Sequence, residues 1–136
     1  MLFTPKKFKF KKQQKRNNFN QICGNLNQKV NNNLCLKATS FGRITSKQFI
    51  AIRQTIKKNI KKVGKLTFHI FPQTPISKKP KEIRMGKGKG AVDHWISKIK
   101  TGQTICEIKT EFVFKGIKAL KLASFRLSLK TKIVYN

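Results

Sequence analysis

Acidic side chains are scarce in this sequence. Four Asp and Glu stand against 32 Lys and Arg, a formal net charge of +28. No carboxylate precedes Glu82, and none of the four is closely paired with another, so general acid/base hydrolysis has little to work with. Cysteine is also thin. Cys23, Cys35 and Cys106 form no pair at zinc spacing, and His69 and His94 lie far from any such pair. They read as structural thiols of a reducing compartment rather than as a metal site or a Cys/His catalytic pair. The sequence implies no cofactor and no metal. No apolar run approaches the ~18 residues of a membrane span. The opening Met1-Leu2-Phe3-Thr4 is too short for the apolar centre of a secretory signal. No membrane partner is expected.

What is present is positive charge, unevenly spread. Residues 1–81 carry 20 basic groups and no acid, and residues 82–136 carry 12 basic and 4 acidic. Such self-repulsion opposes compaction unless a polyanion neutralises it. Nucleic acid fits, because released counterions drive binding to phosphates. The 38% hydrophobic content still supports a small core, so the chain is more than a basic tail. Its 136 residues suit one domain, 1–136.

The charge is most sharply organised at Lys81-Glu82-Ile83-Arg84-Met85-Gly86-Lys87-Gly88-Lys89-Gly90. Glycine lets a backbone take positive φ and approach another surface closely. Lysines supply point charges for phosphate, and Arg84 supplies a planar fork of donors. A Walker loop needs Gly-Lys-Ser/Thr at a different spacing, and here there is no hydroxyl. A dinucleotide fingerprint needs its third glycine three positions after the second and a helix to follow. Gly90 comes two after Gly88, and the sequence beyond it reads as a strand. The run therefore reads as a thin positive finger, Arg84, Met85, Gly86, Lys87, Gly88, Lys89 and Gly90, aimed at a polyanion.

An N-terminal arm, residues 1–20, carries Lys6, Lys7, Lys9, Lys11, Lys12, Lys15 and Arg16. Phe8 and Phe10 alternate with its lysines. Extended, this puts rings on one face and ammonium groups on the other. Against RNA the lysines meet phosphates while the rings stack on bases or pack on the body. Residues 17–33 are rich in Asn and Gln, with a turn at Asn31-Asn32-Asn33. Leu34–Ala38 reads as a short strand.

Thr45 and Gln48 form a capping box. Phe49, Ile52, Ile56, Ile60 and Val63 then share one face of a helix over 45–63, which Gly64 would terminate. Arg53, Lys57 and Lys61 line the edge of that face, with Lys58 and Lys62 behind. Residues 65–71 read as a strand with Leu66, Phe68 and Ile70 toward the helix. His69 falls on the other face, as a hydrogen-bonded surface histidine. Pro72 ends it and opens an extended Pro/Gly/Lys loop, 72–91. Val92–Lys100 and Thr104–Lys109 read as a hairpin turning at Thr101-Gly102-Gln103, with Trp95 a core anchor. Val113, Ile117, Leu120, Ser124 and Leu127 suggest a second helix despite Gly116. Thr131–Tyr135 would close the sheet. The expected class is α+β: two helices packed on a small mixed sheet.

Taken together, these motifs resemble the protein-sixteen family of the bacterial-type large ribosomal subunit. The likeness rests on Pro5-Lys6-Lys7, Gln48, Ala51 and Arg53, Gly64-Lys65, and Phe71-Pro72 with Pro75 and Lys79-Pro80. Above all it rests on Arg84-Met85-Gly86-Lys87-Gly88-Lys89-Gly90. Trp95, Gly102, Glu107, Ala119, Leu122-Ala123 and Leu129-Lys130-Thr131-Lys132 fall in register. Residues 17–40 depart from it, with Asn where the family has Gly and Arg. Leu127-Ser128-Leu129 replaces a Leu-Pro-Ile.

The resemblance implies an α/β hammerhead fold and a structural, non-enzymatic role on large-subunit rRNA beside the central protuberance. It implies support of late assembly and of tRNA at the A site, with the P site as an alternative, and neighbouring large-subunit proteins as partners. The glycine finger would extend toward the peptidyl-transferase region. Arg84 matches an arginine hydroxylated in some bacterial relatives. The family's usual start coincides with Met1. With the Lys/Asn/Ile/Phe bias of an AT-rich genome, that points to an organelle, mitochondrion before plastid. A general nucleic-acid compacting protein is the alternative. A phosphotransfer enzyme would need a magnesium-binding carboxylate by the glycines, where only Glu82 and Asp93 are close.

Overall fold

Five consecutive residues, Leu34–Ala38, are all buried, and they form the strand around which the chain folds (β1). A strand buried on both faces must have cover on both, and Leu-Cys-Leu-Lys-Ala is apolar enough to be placed there. The computed structural model describes residues 3–14, 22–23, 33–61, 64–86 and 88–135. After β1 come β2 (Gly42–Thr45), α1 (Ser46–Ile60), β3 (Gly64–Phe68) and β4 (Thr74–Lys78). Then follow β5 (Ala91–Ile99), β6 (Thr104–Thr110), α2 (Val113–Ser124) and β7 (Thr131–Val134). The class is α+β. The single mixed sheet expected is instead two antiparallel sheets, ordered β3-β6-β1-β7 and β2-β5-β4.

α1 starts as its capping box dictates. Thr45 N–H donates to Gln48 Oε1 at 2.9 Å, and Gln48 N–H donates to Thr45 Oγ1 at 3.3 Å. Phe49, Ile52, Ile56 and Ile60 are buried, as the periodicity requires. Burying each such side chain is worth about 1.5–3 kcal/mol. The helix stops earlier than the 45–63 expected. Lys61 takes φ 54° as its C-cap, and its N–H donates to Lys57 O. Val63 and Lys62 lie outside the described residues. Gly64 is therefore no cap. A Cβ there would stand 2.6 Å from Ile60 Cγ2 and 3.1 Å from Lys109 O, so its bareness lets β3 start directly beneath the helix end.

α2 buries Gly116, Ala119, Leu120 and Ala123, a face rotated from the one expected. Val113 is exposed. Small residues won because the helix lies close to β1: a Cβ on Gly116 would sit 2.3 Å from Leu34 Cδ1. The two helices pack on each other. One hydrophobic cluster joins them to the larger sheet through Leu36, Ile52, Ile56, Ile108 and Leu120. A second, with Ile44, Phe49, Ile99 and Ile105, fills the space toward the smaller sheet. Leu127 packs against both.

Other expectations change here. The strand at 65–71 ends at Phe68, although Leu66 and Phe68 do face α1. β2 forms in a four-residue stretch that has no strand alternation in the sequence. β4 occupies residues 74–78 of the expected 72–91 loop, leaving 79–90 as the connection to β5. Pro75 is tolerated there because β4 is an edge strand, with one side that asks for no N–H donor. β5 and β6 are no hairpin. Each pairs in a different sheet, and Gly102 (φ 84°) turns the chain between them while its N–H donates to Ala38 O at 2.8 Å. β7 closes the larger sheet against β1.

Candidate nucleic-acid interface

The glycine run sits at the far end of the β4–β5 connection. Gly86 and Gly88 have φ of 95° and 78°, a region that costs other residues roughly 1–2 kcal/mol. No heavy atom lies within 4 Å of where their Cβ atoms would be. They serve chain direction, with open space around them. Gly90 differs: a Cβ would meet Lys78 O at 2.5 Å, so it lets the returning strand pass the end of β4. Lys79 Nζ donates to Gly86 O across the loop's neck, and Ile83 N–H donates to Pro80 O at 3.4 Å. Met85 at the tip is 99% exposed, and Arg84 is exposed beside it.

The N-terminal arm is tied to the body at three points. Phe3 is wedged into the aromatic end of the core, its ring 5.6 Å from those of Phe49 and Phe68, with the Arg53 guanidinium 5.9 Å above it. Phe8 packs on Trp95 with ring centroids 5.2 Å apart. Trp95 is only half-buried and belongs to neither core cluster, so it anchors the arm rather than the core. Finally, arm and loop clasp each other. Lys12 Nζ donates to Lys89 O at 2.8 Å, and Lys89 Nζ donates to Gln13 O. Each such exposed bond contributes only about 0.5–1.5 kcal/mol, so the clasp biases the pair without locking it.

This brings two of the three basic segments together. Lys6, Lys7, Lys9, Lys11 and Lys12 are exposed along the arm, Arg84 and Lys89 are exposed on the loop, and the two segments meet at Lys12, Gln13 and Lys89. Lys15, Arg16 and Lys87 lie outside the described residues. Phe10 is exposed, with Lys9 Nζ 5.8 Å from its ring centre. On the helix, Arg53, Lys57 and Lys61 rim a cavity of about 400 Å³ between α1 and β3, floored by Phe3, Ile60, Leu66 and Phe68. Arg53 reaches the arm through Phe3. No hydrogen bond or ion pair among the described residues ties Lys57 or Lys61 to the loop.

The few carboxylates do little to offset this charge. Glu107 accepts from His69 at 2.8 Å and from Asn33 at 3.5 Å, buried against the larger sheet. His69 is thus the hydrogen-bonded histidine expected. Asp93 is held below its ordinary pKa, chiefly by its hydrogen bond with His94 at 2.8 Å and then by nearby lysines. Among the described arm and loop cations, none has a carboxylate partner. Burial pushes the Cys35 thiol up to about 11 and that of Cys106 to about 12, so both stay protonated at neutral pH. They are structural, as expected, while Cys23 is exposed.

The sequence assigns no contact to Phe3, and it marks Lys79 only through the resemblance at Lys79-Pro80. Neither carries a local signal: Phe3 stands alone before Pro5, and Lys79 is one lysine among many.

Residues 5–134 match the family described as Ribosomal protein L16p/L10e. The chain belongs to that family. It is 43% identical over 135 residues to the large ribosomal subunit protein uL16c of Euglena longa, covering 98% of each chain. It is 40% identical to the large ribosomal subunit protein uL16 of Buchnera aphidicola subsp. Cinara cedri (strain Cc) over 134 residues, 98% of this chain and 96% of the relative. The uL16 of Acinetobacter baylyi is 40% identical over 133 residues. Membership carries a structural role in the ribosome, among rRNA and other ribosomal proteins, and no enzymatic activity. The phosphotransfer alternative falls with it.

Proposed function

We propose that this chain is a structural constituent of the large subunit, for which its relatives are named, and that it grips large-subunit rRNA through the arm, the basic edge of α1 and the 79–90 loop. The observation that carries this reading is the clasp between Lys12 and Lys89. It gathers two cationic segments, far apart in sequence, into one projecting surface with Met85 bare at its tip. Lysines on such a surface neutralise phosphates, and the positive-φ glycines keep the backbone thin enough to enter a narrow space. The loop would reach toward the peptidyl-transferase region and help position tRNA at the A site, while the arm and helix support late subunit assembly. The ribosome concerned would be an organelle's, mitochondrion before plastid, in keeping with the Lys/Asn/Ile/Phe bias.

Replacing Lys87 and Lys89 together tests the loop's part. Binding to an rRNA fragment should weaken, and the slope of log affinity against log salt should flatten by roughly one per lost phosphate contact. An unchanged slope removes the loop from the interface. Sedimentation of organelle lysates tests the assignment: the chain should run with the large subunit.

A further inference from the structure

Neither helix carries an acid. α1 has Lys47, Arg53, Lys57 and Lys58, and α2 has Lys115, Lys118 and Lys121, with no Asp or Glu in either. An ordinary solvated helix face mixes signs and uses Glu–Lys pairs one turn apart. Between the two helices runs a groove of about 480 Å³, lined by Thr55, Lys58 and Asn59 on one side and by Leu122, Phe125 and Arg126 on the other. Phe125 is 74% exposed at its edge. A lone exposed ring is unremarkable. The backbone that carries this one is fixed on both sides: Arg126 N–H donates to Ala123 O at 3.0 Å, Leu127 N–H donates to Ser124 O at 3.1 Å, and the partly buried Leu127 packs against both core clusters.

We propose that this groove, resting on the rRNA-binding reading above, is a separate contact that takes one unstacked RNA base on the Phe125 ring, its flanking phosphates held by Lys58 and Arg126. A flat ring and two cations lining one groove, with no acid among its residues, match a base and its two flanking phosphates. Single-stranded loops and bulges offer such a base, and a continuous duplex does not. The polar neighbours are turned back on their own helix: Thr55 Oγ1 donates to Ala51 O at 2.8 Å and Asn59 Nδ2 to Thr55 O at 2.7 Å. Every base has a face that can stack on a ring, so the groove favours an exposed base with little regard to which base it is.

The test compares the full chain with F125A, using a short single-stranded RNA and the same sequence in a duplex. F125A should bind the single strand about 5- to 100-fold more weakly, with an unchanged salt slope and unchanged duplex binding. K58A with R126A should flatten the slope. In F125W the added indole emission should be quenched by the single strand and not by the duplex, a direct readout whatever F125A does to the fold. Equal single-strand affinity of wild type and F125A, with F125W unquenched, overturns the groove and leaves the loop and arm untouched. Failure of the wild type to bind either RNA takes down the wider reading as well. F125A that binds RNA normally but no longer enters the large subunit would make the groove a protein-docking face, and the proposal would be wrong.

Discussion

At Gly86 a Cβ would meet open solvent, whereas at Gly116 it would stand 2.3 Å from a core leucine. The two glycines therefore answer substitution differently. G86A with G88A alters only a backbone preference in an exposed loop. In an exposed loop that backbone cost is relieved by the loop leaving its conformation, so thermal melting of the body should move little while affinity for rRNA falls. G116V drives a branched side chain into Leu34, and such overpacking costs about 1–3 kcal/mol, visible as a lower melting temperature. Thiol chemistry is a second residue-scale test. A thiol held near 11 or 12 offers almost no thiolate at pH 8. Alkylation of the folded chain should stop at Cys23, with Cys35 and Cys106 reacting only after denaturation. The sign also bears on stability. These thiols ionise more easily unfolded, near 9, so their contribution is intact below pH 9 and is lost as pH rises toward 11–12.

At the scale of elements, what could be read in advance was what is written locally. The capping box and the spacing of Phe49, Ile52, Ile56 and Ile60 announce α1, because both signals lie within one helix. T45A should remove about 1 kcal/mol, read by chemical denaturation. β2 and β4 are only four and five residues long and have no clean alternation, so they pass for loop. The β5–β6 boundary looks like a hairpin because its turn residues are right for one; which sheet each strand joins is decided by partners dozens of residues away. Trp95 reads as core because large aromatics are usually buried, and its partner Phe8 lies 87 positions earlier. The basic composition of the candidate interface was legible; that the arm and loop would meet was not. Of the arm's three ties to the body, Phe3 is the one packed against a core cluster. F3A should speed trypsin cleavage at Lys6 and Lys7 while the body resists as before.

For the molecule as a whole, +28 spread over 136 residues sets the terms. Self-repulsion lowers the stability of the compact state, and anything that screens or neutralises it raises that stability. The isolated chain should melt at a temperature that climbs with added salt, and climbs further with a polyphosphate at equal ionic strength. A melting point indifferent to both would mean that the charge is already balanced within the fold.

The clasp has a consequence for how this protein can vary. Both lysine ammonium groups are received by main-chain carbonyls, of Lys89 and of Gln13, which every amino acid possesses. Position 13 can thus be respelled freely. Inserting or deleting a single residue between Phe8 and Lys12 cannot be absorbed so easily, since it would carry the ammonium group out of reach of its acceptor. Among descendants of this chain, the count of residues there should hold steady while their letters drift.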